Sequence, residues 1–386
     1  MLGKTAIVGI GQTEYYRPGG SPQSEFQLAC IAIRNAAEDA GIPLEKVDGY
    51  VAYSDRQDPI RLSAALGTTQ TTFTAQNWGG GGNGVAQAVS TASAAVEAGY
   101  ADYVVAFRSL AQGQFGRFGQ ARGTPRAAGG PAYTQPYGVV TPAHTCAIQT
   151  RRFMHEYGVS QEAMAEVSLA SYAHAQRNPL AVRHGRPLTR EAYHDSRWIV
   201  EPFHLFDCCQ ENDGSAAVII TTAERAKDLK QTPTYIKATA QGMGQRAGTT
   251  AFNEPQFPTA HYKIAGQLLW ERAGVGPKDV DVAQFYENFT GPVLMSLSEM
   301  GFAPPDGIEE FVSNGNIQWP DGDLPINTSG GNLAEAYIHG FELVLEAVRQ
   351  IRGDSTAQVE DAELSLVVSG PGYTPGSTAL FAKEQG

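Results

Sequence analysis

The sequence predicts an α/β fold made of two halves of similar order, and two observations support this. Short apolar runs typical of strands alternate with longer stretches in which apolar residues have helical spacing. The same alternation starts again after a polar stretch near residues 228–233, which indicates an internal duplication. We therefore expect a first half at residues 1–230, with a helical and loop insertion at about 108–205, and a second half at 231–386.

In the first half, helices are expected to end at Gly41 and Gly99, and the four glycines Gly79 to Gly82 stand where a loop enters a helix. The elements expected there are strand 5–9, helix 26–40, helix 85–98, buried strand 103–107, a polar helical region at 146–175 and strand 216–221. Those expected in the second half are strand 235–240, helix 262–273, strand 282–286, helix 332–352 and strand 365–368.

Gly9 and Gly11, next to the first strand, suggest the start of a dinucleotide-binding motif. The third glycine of that motif is replaced by Glu14, whose carboxylate would face the pyrophosphate. We therefore expect Gly9 and Gly11 to form a turn after the strand and not a cofactor site.

Composition argues against several classes of function. The formal net charge of −12 argues against nonspecific nucleic-acid binding and against docking to an anionic membrane. No apolar run approaches the ~20 residues that cross a bilayer, and the start MLGKTAIVGIG does not resemble a signal peptide, so a cytoplasmic location is expected. The cysteines, Cys30, Cys146, Cys208 and Cys209, have no metal-ligand spacing, so neither a disulfide framework nor a metal site is expected.

One local basic segment stands out against this acidic background. Arg108, Arg117, Arg122 and Arg126 lie among glycines in a stretch expected to form a loop. Such a loop can bind the phosphates of an anionic ligand, or it can be a solvated or interface loop. Both interpretations stay open at the level of sequence.

Four segments resemble the thiolase superfamily, and most closely its sterol-carrier-protein or lipid-transfer branch. They are IVGIGQTEY, RRFMHEYGVSQEAMAEVSLASYAHAQRNPLA, FDCCQENDGSAAVIIT and NTSGGNLAEAYIHG, and together they span nearly the whole chain. The resemblance implies two fused βαβαβαββ halves in a five-layered αβαβα arrangement. It also implies a dimer and acyl-CoA substrates.

The thiolase nucleophile is missing from this chain. Counting back from Gly99 places the nucleophilic cysteine position of thiolases at Gly82. The second cysteine of the family is also absent, because VVSGPGYTPGSTALF has Ser369 and Gly370 at that place. A Claisen condensation through an acyl-enzyme needs a thiolate, so the sequence excludes a conventional thiolase.

Two tyrosines occupy other catalytic positions of the family. In YENF, Tyr286 stands at the amide or imidazole position and Glu287 is kept; in GGNLAEAYIHG, Tyr337 aligns with the catalytic histidine and His339 follows two residues later. Tyrosine, with a pKa of about 10, can move a proton to or from an alkoxide without a covalent step. These tyrosines could also be packed aromatics, but their coincidence with both family positions favours catalysis.

This combination suits a retro-aldol cleavage next to a thioester. We expect Tyr337 to act as base, with its pKa lowered by donors such as His339, and Tyr286 to act as its partner. The enolate would accept hydrogen bonds from the backbone N–H groups of Gly79, Gly80, Gly81, Gly82 and Asn83. Asn83 could instead cap the helix. Glycine at 82 would also open space for a bulky substrate.

The same features resemble the lipid-transfer-type aldolases of bacterial steroid side-chain degradation. That resemblance implies cleavage of a 17-hydroxy steroid 20-carboxyl-CoA to an androstane 17-ketone, such as androstenedione, and propionyl-CoA. It implies a DUF35-type partner with a zinc ribbon and an OB-like domain, around a homodimer core in a heteromeric complex. Zinc would belong to the partner, CoA would enter with the substrate, and Arg117, Arg122 and Arg126 would contact CoA. The alternative is a non-catalytic scaffold that binds acyl-CoA or lipid.

Overall fold

The structure is a computed structural model that describes residues 3–53, 56–77, 81–115, 128–247, 255–372 and 374–385. The strands are β1 Thr5–Gln12, β2 Gly49–Ala52, β3 Phe73–Gln76, β4 Val104–Ala111, β5 Trp198–Val200, β6 Phe203–His204, β7 Asp213–Thr222, β8 Thr234–Gly242, β9 Val282–Phe285, β10 Leu364–Val368 and β11 Gly376–Ala382. The α-helices are α1 Glu25–Ala40, α2 Pro59–Leu66, α3 Val85–Glu97, α4 Gln112–Phe115, α5 Pro142–Tyr157, α6 Gln161–Ala175, α7 Arg190–His194, α8 Ala223–Ala226, α9 Lys263–Ala273, α10 Thr290–Glu299, α11 Ile308–Val312 and α12 Glu342–Arg352.

The main sheet has nine strands in the order β3-β2-β4-β7-β1-β8-β11-β10-β9. Its two parts meet where β1 pairs with β8, at Ala6 with Tyr235 and Ile7 with Thr234. Each part runs outward from this seam in the same sequence of antiparallel and then parallel neighbours. The counterpart of β3 in the second part is a single bridge, in which Ile326 pairs in parallel with Ala283 of β9. The topology therefore repeats, with one strand of the second part much shortened.

Helices lie on both sides of the two sheet parts and also between them. α1 packs on β1, β4 and β7, and α9 packs on β8 and β11. α3 and α12 contact strands of both parts and fill the space between them. Three separate apolar clusters occupy the spaces between these layers. The result is the αβαβα layering that the resemblance to the thiolase superfamily implied.

The expected turn at Gly9 and Gly11 was wrong, because both glycines lie within β1 and pair with β7. A Cβ on Gly9 would lie 2.1 Å from the carbonyl oxygen of Ala36, and one on Gly11 would lie 2.2 Å from that of Ala32. The backbone of α1 thus approaches β1 so closely that no side chain fits at these positions.

The expected helix at 332–352 was wrong over its first half. A π-helical turn spans Gly331–Glu335, Ala336 is extended, and α12 begins only at Glu342. Between them, His339 has φ +56° and Gly340 has φ +84°. The expected helical region at 146–175 is likewise divided into α5 and α6, at Gly158 with φ +71°.

None of the described helices combines the length and the apolar character that a membrane crossing requires.

Candidate active site

Two tyrosines that lie 51 positions apart meet at the end of β9. Tyr286 directly follows β9, and Tyr337 lies in the non-helical link before α12. Their hydroxyl oxygens are 2.6 Å apart and share a hydrogen bond in which either can donate. Both side chains are buried, with 1% and 5% of their surface exposed. A short hydrogen bond between two buried phenols is an arrangement in which a proton can be passed.

Backbone hydrogen bonds fix the position of the main chain at each tyrosine. The amide of Tyr286 donates to the carbonyl oxygen of Val368 at 2.9 Å, which extends the pairing of β9 with β10. The amide of Tyr337 donates to Asn212 Oδ1 at 2.9 Å, and Asn212 in turn donates from Nδ2 to the carbonyl oxygen of Tyr16 at 3.1 Å. Asn212 therefore ties the link that carries Tyr337 to the first half of the chain.

Gly82 makes room for Tyr286. A Cβ on Gly82 would lie 2.3 Å from both Cε2 and Cζ of the Tyr286 ring, and one on Gly340 would lie 2.3 Å from its Cδ2. The expectation that glycine at 82 opens space for a substrate is corrected here, because the Tyr286 ring fills that space. The glycine allows one aromatic group of the site to sit where a cysteine side chain would otherwise stand.

A second glycine of the same turn makes room for a tyrosine that the sequence analysis missed. A Cβ on Gly84 would lie 2.5 Å from Cε2 of Tyr53, the residue that follows β2. The guanidinium carbon of Arg108 lies 5.0 Å from the centre of the Tyr53 ring, and the ring of His339 is stacked on it at 5.1 Å and 14°. The available signal was its place at the carboxyl end of a parallel strand, but the four-residue β2 had not been predicted.

The predicted enolate-binding turn lies beside these tyrosines, as far as the structure describes it. Gly81, Gly82 and Asn83 precede Gly84, the N-cap of α3, whereas Gly79 and Gly80 lie outside the described residues. One amide of the first turn of α3, that of Ala86, already donates to Ser369 Oγ at 3.0 Å. Asn83 does not cap the helix: its Nδ2 donates to the carbonyl oxygen of Pro375 at 3.2 Å. The role of this turn in enolate binding stays a prediction.

His339 lies close to both tyrosines, and it is uncharged. Its ring centre is 5.8 Å from that of Tyr337 and 6.3 Å from that of Tyr286. Burial and the positive charge of Arg108 lower the pKa of His339 well below its usual value. The imidazole can therefore act on Tyr337 only through hydrogen bonding or packing, and not as the positive charge that would favour a tyrosinate.

Glu287 points to a different set of groups. Its carboxylate accepts hydrogen bonds from Ser171 Oγ and, at 2.6 Å, from the amide of Asn332. Burial raises its pKa to about 8. These contacts hold α6 against the turn that leads toward Tyr337, which is a structural function. The structure brings together Tyr286, Tyr337 and His339, but these contacts join Glu287 to another part of the site wall, and its catalytic role stays a prediction.

The predicted CoA contacts at Arg117, Arg122 and Arg126 lie outside the described residues. Arg108, from the same basic segment, is buried at 7% exposure, and its Nη1 donates to the carbonyl oxygen of Tyr53 at 2.7 Å. This arginine is therefore part of the wall of the site and not of a solvated loop.

Comparisons with known proteins agree with the geometry. Residues 242–381 match the family described as thiolase C-terminal domain-like. The 17-hydroxy-3-oxo-4-pregnene-20-carboxyl-CoA lyase of Mycobacterium tuberculosis is 40% identical over 388 aligned positions, which cover 98% of this chain and 100% of that protein. The steroid side-chain-cleaving aldolase of Thermomonospora curvata is 39% identical, with 98% of each chain covered.

Solved structures give the same result. The Ltp2-ChsH2(DUF35) aldolase superposes with a TM-score of 0.92 at 37% identity, over 99% of each chain. Human mitochondrial 3-ketoacyl-CoA thiolase, at 14% identity and a TM-score of 0.70, shares the fold. Identity of this extent over nearly the whole length shows that the chain belongs to the steroid side-chain-cleaving aldolases, a family with the thiolase fold.

Proposed function

We propose that this chain is a carbon–carbon lyase that cleaves a 17-hydroxy steroid 20-carboxyl-CoA by a retro-aldol reaction. The products would be an androstane 17-ketone, such as androstenedione, and propionyl-CoA. The observation that carries the proposal is the buried pair of tyrosine hydroxyls, 2.6 Å apart, beside a turn in which glycine replaces the thiolase nucleophile. The names of the two aligned relatives support the same substrate class.

The reaction balances without a covalent intermediate or a redox partner. A base takes the proton of the tertiary hydroxyl, and the oxygen forms the new ketone with the ring carbon. The bond from the ring carbon to the side-chain carbon breaks, and its electron pair moves into the thioester as an enolate. A proton delivered to the side-chain carbon then gives propionyl-CoA. One proton is removed and one is returned, which suits a pair of proton carriers.

The environment of the pair supports different roles for its two members. Burial raises the pKa of Tyr286 well above its usual value, and the neighbouring Tyr337 and the hydrogen bond to it raise it further. We assign Tyr286 as the member that keeps its proton, and Tyr337, which stands at the histidine position of the family motif, as the base. Tyr286 stabilises the tyrosinate of Tyr337 by donating to it and can later supply the proton for the enolate carbon.

We further propose that the chain works in a complex with a DUF35-type protein that carries a zinc ribbon and an OB-like domain, around a homodimer core. The relative whose structure is the Ltp2-ChsH2(DUF35) aldolase supports this partner. Apolar side chains exposed on the insertion, among them Tyr133 and Tyr137 at 80% and 82%, support a protein surface that is covered in the complex. In this proposal CoA enters as part of the substrate, and Arg117, Arg122 and Arg126 contact the phosphates of CoA. The chain itself holds no cofactor.

The test replaces each tyrosine by phenylalanine in the complex with the partner. Tyr337→Phe and Tyr286→Phe delete one hydroxyl each and keep the rings, so both variants should fold and bind a CoA thioester. Ketone release from the steroid thioester should fall by about 10²-fold or more, the usual scale for a general acid or base. Near-normal turnover in both variants would show that the pair is only packed, and absence of cleavage by the wild-type complex would favour a scaffold.

A further inference from the structure

The hydroxyl group of Tyr53 is buried beside the tyrosine pair and makes no hydrogen bond to the residues that the structure describes. The side chain is 1% exposed, and its Oη is among the buried polar atoms that make no hydrogen bond. Burying a hydroxyl without a partner costs free energy, so most buried polar groups in folded proteins are paired. Inside a candidate active site, a bound substrate can supply the hydrogen-bond partner that such a hydroxyl lacks.

The ring that carries this hydroxyl is held on three sides. Arg108 lies over one region of it at 5.0 Å, and Arg108 Nη1 also donates to the carbonyl oxygen of Tyr53 at 2.7 Å. The imidazole of His339 is stacked on the ring at 5.1 Å. The edge of the ring lies against Gly84, where a Cβ would be 2.5 Å from Cε2 and 3.3 Å from Cζ. Cε2 and Cδ2 are the ring atoms closest to the turn, and the backbone amides of Gly82 and Gly84 act on the hydroxyl at the end of the ring.

The hydroxyls of Tyr53 and Tyr286 approach the same turn from the two halves of the chain. Tyr286 Oη would lie 2.7 Å from a Cβ on Gly82, two residues before the glycine against which Tyr53 lies. Burial raises the pKa of Tyr53, while the positive charge of Arg108 and the backbone amides of Gly82 and Gly84 lower it. Arg108 and these amides polarise the O–H group, which favours its action as a donor.

We propose that Tyr53 is a catalytic residue whose hydroxyl donates a hydrogen bond to the thioester oxygen of the substrate as that oxygen gains the charge of the enolate. The inference rests on the proposed retro-aldol reaction and adds a third tyrosine to it. The proton stays on Tyr53 throughout, and no bond to Tyr53 forms or breaks. A fixed donor aimed at developing negative charge is the arrangement that most strongly stabilises such transition states.

The test compares Tyr53→Phe with a matched control, Tyr50→Phe, in the complex with the partner. Tyr50 lies in β2, the strand that Tyr53 follows; it is fully buried and its hydroxyl also makes no hydrogen bond to the described residues, but it belongs to the apolar cluster under α1. Tyr53→Phe should lower kcat by about 10²-fold, the scale for loss of one oxyanion donor, and should leave KM nearly unchanged. It should not lower the thermal unfolding temperature, because it removes an unpaired group. Tyr50→Phe should leave kcat unchanged.

A kcat of Tyr53→Phe equal to that of the wild type, or an equal loss in both variants, overturns the proposal. A binding measurement separates this result from failure of the proposed function, because it needs no turnover. The probe is a CoA analogue in which a nitronate anion replaces the thioester and mimics the enolate. Calorimetry should show it binding at least about tenfold more weakly to Tyr53→Phe than to the wild type, while a neutral CoA thioether binds both equally. Equal binding of the nitronate also overturns the proposal, whether or not the complex cleaves the steroid.

Discussion

Adding one methyl group at Gly82 should disturb both the stability of the chain and the tyrosine pair. Gly82 has φ +98°, and its missing Cβ would lie 2.3 Å from two ring carbons of Tyr286. Carbon atoms in contact are normally about 3.5–4.0 Å apart, so the overlap exceeds 1 Å. The ring has little room to move away, because the backbone of Gly340 lies against its other edge, where a Cβ would be 2.3 Å from Cδ2.

The expected loss of unfolding free energy has a backbone part and a steric part. Alanine substitutions at two other glycines of this chain measure these parts separately. A left-handed backbone costs an L-residue roughly 1–2 kcal/mol, and overpacking costs roughly 1–3 kcal/mol, so Gly82→Ala should lose about 2–5 kcal/mol. Gly99→Ala isolates the backbone term, because Gly99 has φ +75° and open space around it. Gly84→Ala isolates the steric term, because Gly84 has φ −81° and lies against Tyr53.

Urea unfolding of the three alanine variants and turnover of the complex are the two assays. The free energy lost in Gly82→Ala should be close to the sum of the losses in Gly99→Ala and Gly84→Ala, and kcat should fall by about 10²-fold if the ring shifts by about 1 Å. Gly82→Cys should behave in the same way and should gain no thiolase activity. A Gly82→Ala variant as stable as Gly99→Ala and fully active would refute the reasoning.

Three further predictions concern a buried carboxyl, the thiols and the partner. The pKa of Glu287 is raised from 4.5 to about 8, so the stability that this group contributes is complete below about pH 4.5 and is lost as pH rises through 8. Glu287→Gln should flatten the fall in unfolding free energy between pH 5 and 8; an unchanged slope contradicts the assignment. Burial raises the pKa of Cys146 to about 12 and that of Cys209 well above its usual value. Because the thiolate is the reactive form, iodoacetamide should leave turnover intact. An acyl-cysteine detected by mass spectrometry at the rate of turnover would contradict this prediction. The purified chain alone should cleave the steroid thioester poorly and recover on addition of the DUF35 protein, whereas full activity alone would argue against the partnership.

Elements with strong local signals were predictable from the sequence. β1, α1 and α3 were found from apolar spacing, and α1 ends at Gly41 as expected, with φ +70°. The tyrosine pair was found because its two positions align with family motifs. That alignment could not show that the hydroxyls touch, since their contact depends on how β9 and the link before α12 pack.

The failures come from contacts between residues distant in the chain. The link around Tyr337 has helical spacing but is not helical, because Asn212 accepts a hydrogen bond from the amide of Tyr337 and Glu342 accepts one from that of Ile338. Gly9 and Gly11 were read as a turn because a close approach between β1 and α1 leaves no local pattern. Tyr53 was missed for a related reason: its position depends on Gly84, Arg108 and His339, which come from three other places in the chain.

The fit of the Tyr286 ring against Gly82 also restricts the order in which such a site could have evolved. A cysteine at 82 and a tyrosine at 286 cannot occupy this backbone together, because the Cβ of the first would overlap the ring of the second. On this backbone the order of substitution is therefore fixed, because a cysteine at 82 has to be lost before the Tyr286 ring can take its present position. The return path is closed in the same way, since restoring the thiol first would displace the ring.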